Sequence, residues 1–301
     1  MGSVREVDLS ISHREAETVL NRVTLRTFFA SMALAGLMST SALVAQTPAV
    51  TPETKVPAAA PETKVPVVTQ AAPTLNPAGH PDNDYWRKHD AQLLVDFGGL
   101  AKFKEADLAL GPPAAGENRV VFMGDSITEG WHFDGPAGLF PGKPYINRGI
   151  SGQTTPQMLV RFRQDVIALK PKVVVILAGI NDIAGNTGPM TVEQIEDNLA
   201  SMAELATAHN IRVVLCSVLP AFDFPWMPGM TPAPKVLALN AWIKSYAADK
   251  GHVYVDYHTA MKDDRDGLPA ALSKDGVHPL PAGYAVMAPL VEAGIEKALG
   301  Q

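Results

Sequence analysis

Beyond Gly116, short apolar runs alternate with longer amphipathic ones. Strands are expected over Arg119 to Met123, Tyr145 to Asn147, Lys172 to Leu177, Arg212 to Ser217 and His252 to Asp256. Most are unbroken Val/Ile/Leu runs, the pattern of strands buried on both faces. Between them the spacing predicts helices over Thr155 to Leu169, Val192 to His209, Lys235 to Lys250 and Pro281 to Leu299. The second carries Ile195, Leu199, Met202 and Ala206 along one face. Strand and helix in alternation, with short connections, predict a parallel sheet covered on both sides. Upstream, residues 80–110 read as helical, with Trp86, Leu93, Leu94, Phe97, Leu100 and Phe103 as an apolar packing stripe broken at Gly98-Gly99.

The amino-terminal third has a different pattern. Thr27 to Pro52 contains no charged residue, Phe28 to Met38 is apolar, Arg22 and Arg26 precede it, and Ala42-Leu43-Val44-Ala45 follows. That order predicts an export signal over residues 1–45, cleaved after Ala45, and a periplasmic or extracellular mature protein. A buried helix or an uncleaved anchor is the competing reading. Ser, Thr and Gly dilute the apolar stretch and favour cleavage, with no stable membrane insertion of the mature domain. Residues 46–80 are rich in Pro, Ala, Thr and Val, and repeat Pro-Glu-Thr-Lys-Val-Pro at Pro52 to Pro57 and Pro61 to Pro66. Proline at this density predicts an extended spacer, leaving residues 81–301 as the folded domain.

The 301-residue chain carries 25 Lys and Arg against 31 Asp and Glu, a formal net charge of −6. The charges before His80 cancel, so the acidic excess lies in the folded part. An acidic domain without a basic arm or zinc-finger spacing lacks the surface that binds phosphate backbones, which excludes nucleic acid as a partner. Cys216 stands alone, so no internal disulfide or multi-cysteine metal site can form, and its apolar run predicts a small buried side chain.

In open parallel sheets chemistry collects in loops beyond the carboxyl ends of strands. The first such loop, Gly124-Asp125-Ser126-Ile127-Thr128, places Ser126 at a strand-to-helix corner, either as a nucleophile or as a helix N-cap. There is no phosphate-binding glycine motif, and Thr128 stands where a Gly-x-Ser-x-Gly elbow would end. Gly152, in Ser151-Gly152-Gln153, can present an unhindered N–H to an oxyanion. Asn181, in Gly179-Ile180-Asn181-Asp182, can do so through its side chain, or can serve as a turn residue. Asp275 and His278, in Asp275-Gly276-Val277-His278, are spaced so that the carboxylate can orient the imidazole.

Taken in order, these four blocks resemble the SGNH hydrolase superfamily, also called GDSL esterases and lipases, across Arg119 to Leu299. Asn147 to Thr155 and Lys170-Pro171-Lys172 are most similar to its platelet-activating-factor acetylhydrolase-like branch. The resemblance implies a flavodoxin-like three-layer α/β/α sandwich with a five-stranded parallel sheet. It implies Ser126 as nucleophile, His278 as base then acid, Asp275 as its orienting partner, and Ser126, Gly152 and Asn181 as the oxyanion hole. Asp125 and Asp182 would hold loops. Such acyl transfer needs no metal or organic cofactor.

The expected substrate is a small-molecule or carbohydrate ester with a short acyl group, such as O-acetyl. A lysophospholipase or thioesterase taking longer chains, or a non-catalytic module binding acylated glycans, are the alternatives. Leu219 to Met230 follows a strand and is unusually apolar, so Phe222, Phe224 and Trp226 are candidates for the substrate pocket, with packing against their own core as the competing role.

Overall fold

The computed structural model describes residues 74–76, 79–133 and 138–300. The expected export signal lies outside the described residues, as does nearly all of the proline-rich spacer.

Five strands form one parallel sheet: β1 (Val120–Gly124), β2 (Tyr145–Gly149), β3 (Val173–Leu177), β4 (Arg212–Cys216) and β5 (Val253–Val255). Their spatial order is β2-β1-β3-β4-β5, the flavodoxin-like winding. β1 is paired in register on both sides, with Phe122 opposite Asn147 of β2 and Val175 of β3. Val120, Val121, Met123, Val173, Val174 and Val214 are fully buried, which is why these strands carry no polar alternation. Each such side chain contributes roughly 1.5–3 kcal/mol by leaving water.

Nine helices are described: α1 (Asp84–Val95), α2 (Lys104–Leu110), α3 (Ser126–Glu129), α4 (Thr155–Asp165), α5 (Ile180–Ala184), α6 (Val192–Ala208), α7 (Ala233–Lys250), α8 (Tyr257–Met261) and α9 (Pro281–Leu299). α4, α6 and α7 pack side by side over one face of the sheet, and α9 lies across β3, β4 and β5 with α8 beside it. The result is a three-layer α/β/α sandwich. Ile195, Leu199, Met202 and Ala206 all face the core from α6, as their spacing requires. α9 and α6 follow the sequence pattern closely, whereas α4 ends early. Val166 leaves helical geometry at φ −126°, and Ile167–Leu169 forms a separate 3-10 turn. Cys216 is buried in β4, and burial pushes its thiol up to about 12. Among the described residues no helix is long and apolar enough to cross a membrane.

The apolar stripe expected over residues 80–110 is not a packing stripe. The chain leaves α1 after Val95, and the Asp96 carboxylate accepts the N–H groups of Leu100 and Ala101, which takes Phe97 and Leu100 out of helical phase. Trp86 is buried, but Leu94 is 90% exposed and Phe97 and Leu100 are partly exposed. α2 is held instead by the Asp107 carboxylate on Arg148, whose guanidinium also stacks on the Phe103 ring at 4.7 Å.

The carboxyl ends of β1 and β2 are drawn together at Gly149. A Cβ there would sit 2.1 Å from the backbone nitrogen of Glu129, so only glycine lets β2 approach α3. Gly149→Ala should therefore lower stability by about 1–3 kcal/mol, seen as a lower urea midpoint with an unchanged slope. An unchanged midpoint would show that α3 can move aside freely.

Candidate active site

β1 runs directly into Asp125, which caps α3: its Oδ1 accepts the Ile127 N–H at 2.9 Å. Ser126 is the first residue of that short helix. Asn147 of β2 pins it from below by donating to the carbonyls of Thr128 (2.6 Å) and Trp131 (3.1 Å), and the Tyr284 hydroxyl of α9 donates to the Ile127 carbonyl.

The last loop comes from the opposite end of the sequence to the same place. Ser126 Oγ lies 2.9 Å from His278 Nε2, and His278 Nδ1 lies 2.7 Å from Asp275 Oδ2. The other carboxylate oxygen of Asp275 accepts the backbone N–H groups of Val277 (3.0 Å) and His278 (2.8 Å), so one turn fixes both partners. Ser273 braces that turn: its Oγ lies 2.7 Å from the His278 carbonyl and accepts the Gly276 N–H. Partial burial pushes Asp275 up, but the two hydrogen bonds from His278, the Val277 N–H and the His278 charge outweigh it and hold the carboxyl below its ordinary range. An ionised Asp275 at Nδ1 places the imidazole proton there and leaves Nε2 to accept from Ser126.

Gly152 and Asn181 face the same cavity as Ser126. Gly152 turns through φ +78°, a conformation that suits glycine. Among the described residues, neither its N–H nor that of Ser126 meets an acceptor. Asn181 is buried, donates one Nδ2 hydrogen to the Gln153 carbonyl at 3.0 Å, and keeps a second. Asn186 holds it: its Nδ2 donates to Asn181 Oδ1 (3.1 Å) and to the Gly152 carbonyl (3.0 Å), joining the two elements. Asp182 is turned away and accepts the Thr155 N–H and hydroxyl at the start of α4.

The aromatic loop after β4 divides. Trp226 lines the cavity, its ring centre 6.2 Å from that of His278. Phe224 does not: it is 0% exposed and stacks beneath Trp226, so it supports the wall from within the core. Phe222 does not reach the cavity either. It is 47% exposed and lies under the Arg265 guanidinium in a neighbouring depression. Extended chain would send all three, two residues apart, to one face; the loop instead turns at Phe224, whose carbonyl accepts the Met227 N–H at 3.0 Å, and the three side chains part.

No local pattern marks Asn83, Tyr85 and Trp86 as site residues, yet they complete a cavity of about 410 Å3 from the side of α1. Asn186 was equally hidden, because Gly185-Asn186-Thr187-Gly188 has the composition of an ordinary turn. α1 is docked by a polar cluster. His80 Nδ1 lies 2.7 Å from Asp90 Oδ1, His80 Nε2 faces the Gly185 carbonyl at 3.2 Å, and Asn76 donates to Asp90 Oδ2 at 2.7 Å. His80, His89 and Asp90 bring potential metal-ligating atoms within 4.8 Å of one another. Both Asp90 oxygens and both His80 nitrogens are already matched by protein groups, so the cluster is sufficient as a hydrogen-bonded clasp.

The geometry agrees with what the chain is similar to. The family model for the GDSL-like lipase/acylhydrolase family matches residues 122–286. The chain belongs to that family. An acetylxylan esterase from Geobacillus stearothermophilus is 29% identical over 200 residues, covering 56% of this chain and 90% of the relative. A second acetylxylan esterase, from Xylanibacter ruminicola, is 26% identical over 246 residues, 70% of this chain but 48% of the relative, so the match spans about half of that longer protein. A crystal structure of a GDSL-like lipase from Bacteroides thetaiotaomicron superposes with a TM-score of 0.64 at 45% identity, covering 67% of this chain and 99% of that one. The GDSL block of this chain is Gly124-Asp125-Ser126, and α1 lies upstream of the matched region.

Two buried carboxyls in this GDSL core give a stability signature. Burial pushes Asp125 up to about 7, against the Ile127 N–H and the nearby His278 charge, and its Oδ2 has no partner. Burial likewise pushes Asp182 up to about 6, against its bonds from Thr155. The folded state therefore holds these protons more tightly than the unfolded chain. Their stabilising effect is complete below about pH 4 and is lost as pH rises through about 6 and 7. Asp125→Asn should flatten that decline by on the order of 2–4 kcal/mol between about pH 4 and pH 8, read from urea denaturation at several pH values. Parallel curves for the two proteins would contradict the assignment.

Proposed function

We propose that the chain is an exported serine esterase that removes short acyl groups, acetyl foremost, from carbohydrate. The observation that carries the reading is the continuous line from Ser126 Oγ through His278 to Asp275, at 2.9 and 2.7 Å. It lies in a cavity that Ser126, Gly152 and Asn181 also line, and their two unpaired N–H groups and side-chain amide are the candidate oxyanion donors. Family membership and the two acetylxylan esterase relatives support the substrate class. The charge-free apolar segment after Arg26 supports export.

His278 Nε2 takes the Ser126 proton as Oγ attacks the ester carbonyl. Negative charge moves onto the carbonyl oxygen, where three donors wait in fixed positions. Such preorganised stabilisation is worth most because no reorientation is needed at the moment of reaction. His278 then protonates the leaving sugar oxygen, and an acyl-Ser126 ester remains. Water enters, His278 removes its proton, and the second tetrahedral species collapses to acid and free serine. Asp275 keeps the imidazole upright and stabilises its charged form in both steps.

A fluorophosphonate should label Ser126 and no other serine, as located by peptide mapping. Hydrolysis of p-nitrophenyl acetate should exceed that of the octanoate and palmitate esters, and Ser126→Ala should abolish it. Labelling elsewhere, or hydrolysis surviving in Ser126→Ala, would remove the assigned nucleophile. Preference for palmitate would instead favour the long-chain reading.

Asn181→Ala should cost about a hundredfold or more in kcat if its amide meets the oxyanion. Steady-state rates near those of the parent enzyme would take it out of the hole.

A further inference from the structure

The cavity above Ser126 continues past Tyr85. Tyr85, Ser151 and Gly152 line it and also line a second cleft of about 440 Å3 between α1 and the loop after β2. Lys88, His89 and Gln92 border this cleft from α1, and Ile150 and Phe97 lie among its other walls. Tyr85, Lys88, His89 and Gln92 are three or four residues apart and so share one helical face.

The two sides of the cleft are used differently. Facing α1, the polar side chains hold the wall itself together. Gln153 donates to the Gly98 carbonyl at 2.8 Å and Gln157 to the Phe97 carbonyl at 2.7 Å, while Asp96 accepts from the backbone of Leu100 and Ala101. On α1, the Lys88 ammonium, the Gln92 amide and the Tyr85 hydroxyl make no hydrogen bond or ion pair with the described residues. The Tyr85 ring stacks loosely on that of His89, 6.4 Å between centroids, yet Tyr85 is 57% exposed and leaves much of its ring open at the cleft. A rigid wall opposite unspent donors and an open aromatic ring suits a sugar, whose C–H face packs on aromatics and whose edge carries hydroxyls. An acyl chain has no use for such donors, and burying it against them would cost their hydration.

We propose that this cleft is a subsite for the carbohydrate backbone of the substrate, holding sugar residues beyond the acylated one that sits over Ser126. The proposal rests on the esterase reading and adds where the alcohol side of the ester lies. It assigns selectivity to α1, a segment outside the matched family region.

The test compares the parent protein with the double variant Lys88→Ala/Gln92→Ala on acetylated xylotetraose and on p-nitrophenyl acetate, each pair of rates taken from one preparation. Unsubstituted xylotetraose is titrated into both proteins by calorimetry. The ratio of kcat/KM for the acetylated oligosaccharide to that for p-nitrophenyl acetate should fall about tenfold, through KM, and xylotetraose should bind the variant about tenfold more weakly. Because the ratio is internal to each preparation, partial misfolding does not imitate the result. A ratio and an affinity within about twofold of the parent values, or no binding of xylotetraose by the parent protein, overturn the subsite. p-Nitrophenyl octanoate is assayed on the same preparations, and a loss confined to it overturns the subsite too, by assigning the cleft to the acyl chain. If neither ester is hydrolysed by the parent protein, the esterase reading fails, and the calorimetric arm still decides the subsite.

Discussion

The buried guanidinium of Arg161 holds the two loops of the site in one register. Its Nη2 donates to the Gly124 carbonyl at the end of β1, its Nε to Gln153 Oε1 beside Gly152, and its Nη1 to Asp165 one turn along α4. The Ile150 N–H donates to the same Gly124 carbonyl, so the chain entering Ser126 and the chain entering Gly152 are tied twice. Arg161 and Asp165 are both fully buried. Such a pair gains little net stability, yet removing one partner strands a buried charge at about 3–5 kcal/mol. What the pair fixes is position: the planar fork meets three acceptors at set angles, and a flexible ammonium would not. The separation of Ser126 and Gly152, the proposed nucleophile and oxyanion donor, follows from it.

His278, the proposed acid–base partner, is fixed in another way. His278 arrives on a turn whose own hydrogen bonds, from Val277 and His278 N–H to Asp275 and from Gly276 to Ser273, are all local. The turn is then seated by α9, which starts at Pro281, and Tyr284 of that helix reaches the carbonyl of Ile127 beside Ser126. One long-range contact thus aligns a unit that is already assembled. This is why a spacing of three residues in sequence could identify Asp275 and His278 together, while the meeting with Ser126 depended on the order of strands.

The sheet was legible because burial on both faces leaves unbroken Val and Ile runs, and the loop chemistry because polar and glycine residues stand directly after those runs. Legibility failed where tertiary contacts override local pattern. Leu93, Leu94 and Phe97 have helical apolar spacing, but Asp96 captures the backbone of residues 100 and 101 and the helix stops first. α4 should have run to Leu169 by periodicity, yet Lys170 adopts a left-handed conformation, and the preceding turn tightens to reach β3. Phe222, Phe224 and Trp226 are alike in composition, and only the path of the loop sends one to the cavity and one to the core. Asn186 and Tyr85 carry no local signal, since their roles exist only once Gly152 and the clasp of His80 and Asp90 are in place.

The site thus combines two layers of constraint with different origins in the chain. Strand order, Arg161 and the last turn position Ser126, Gly152 and His278, the groups proposed to break an acyl bond, and all of these lie within the family region. α1 lies upstream of it, buries only Trp86, and is attached through the polar clasp at Asp90 and Gly185. A helix so weakly buried gains little from packing, so its sequence is free to present Tyr85, Lys88 and Gln92 outward along the cleft. The same sparse packing that makes α1 a poor core element suits it to the proposed role of a substrate wall: what it displays can change without disturbing the geometry at Ser126.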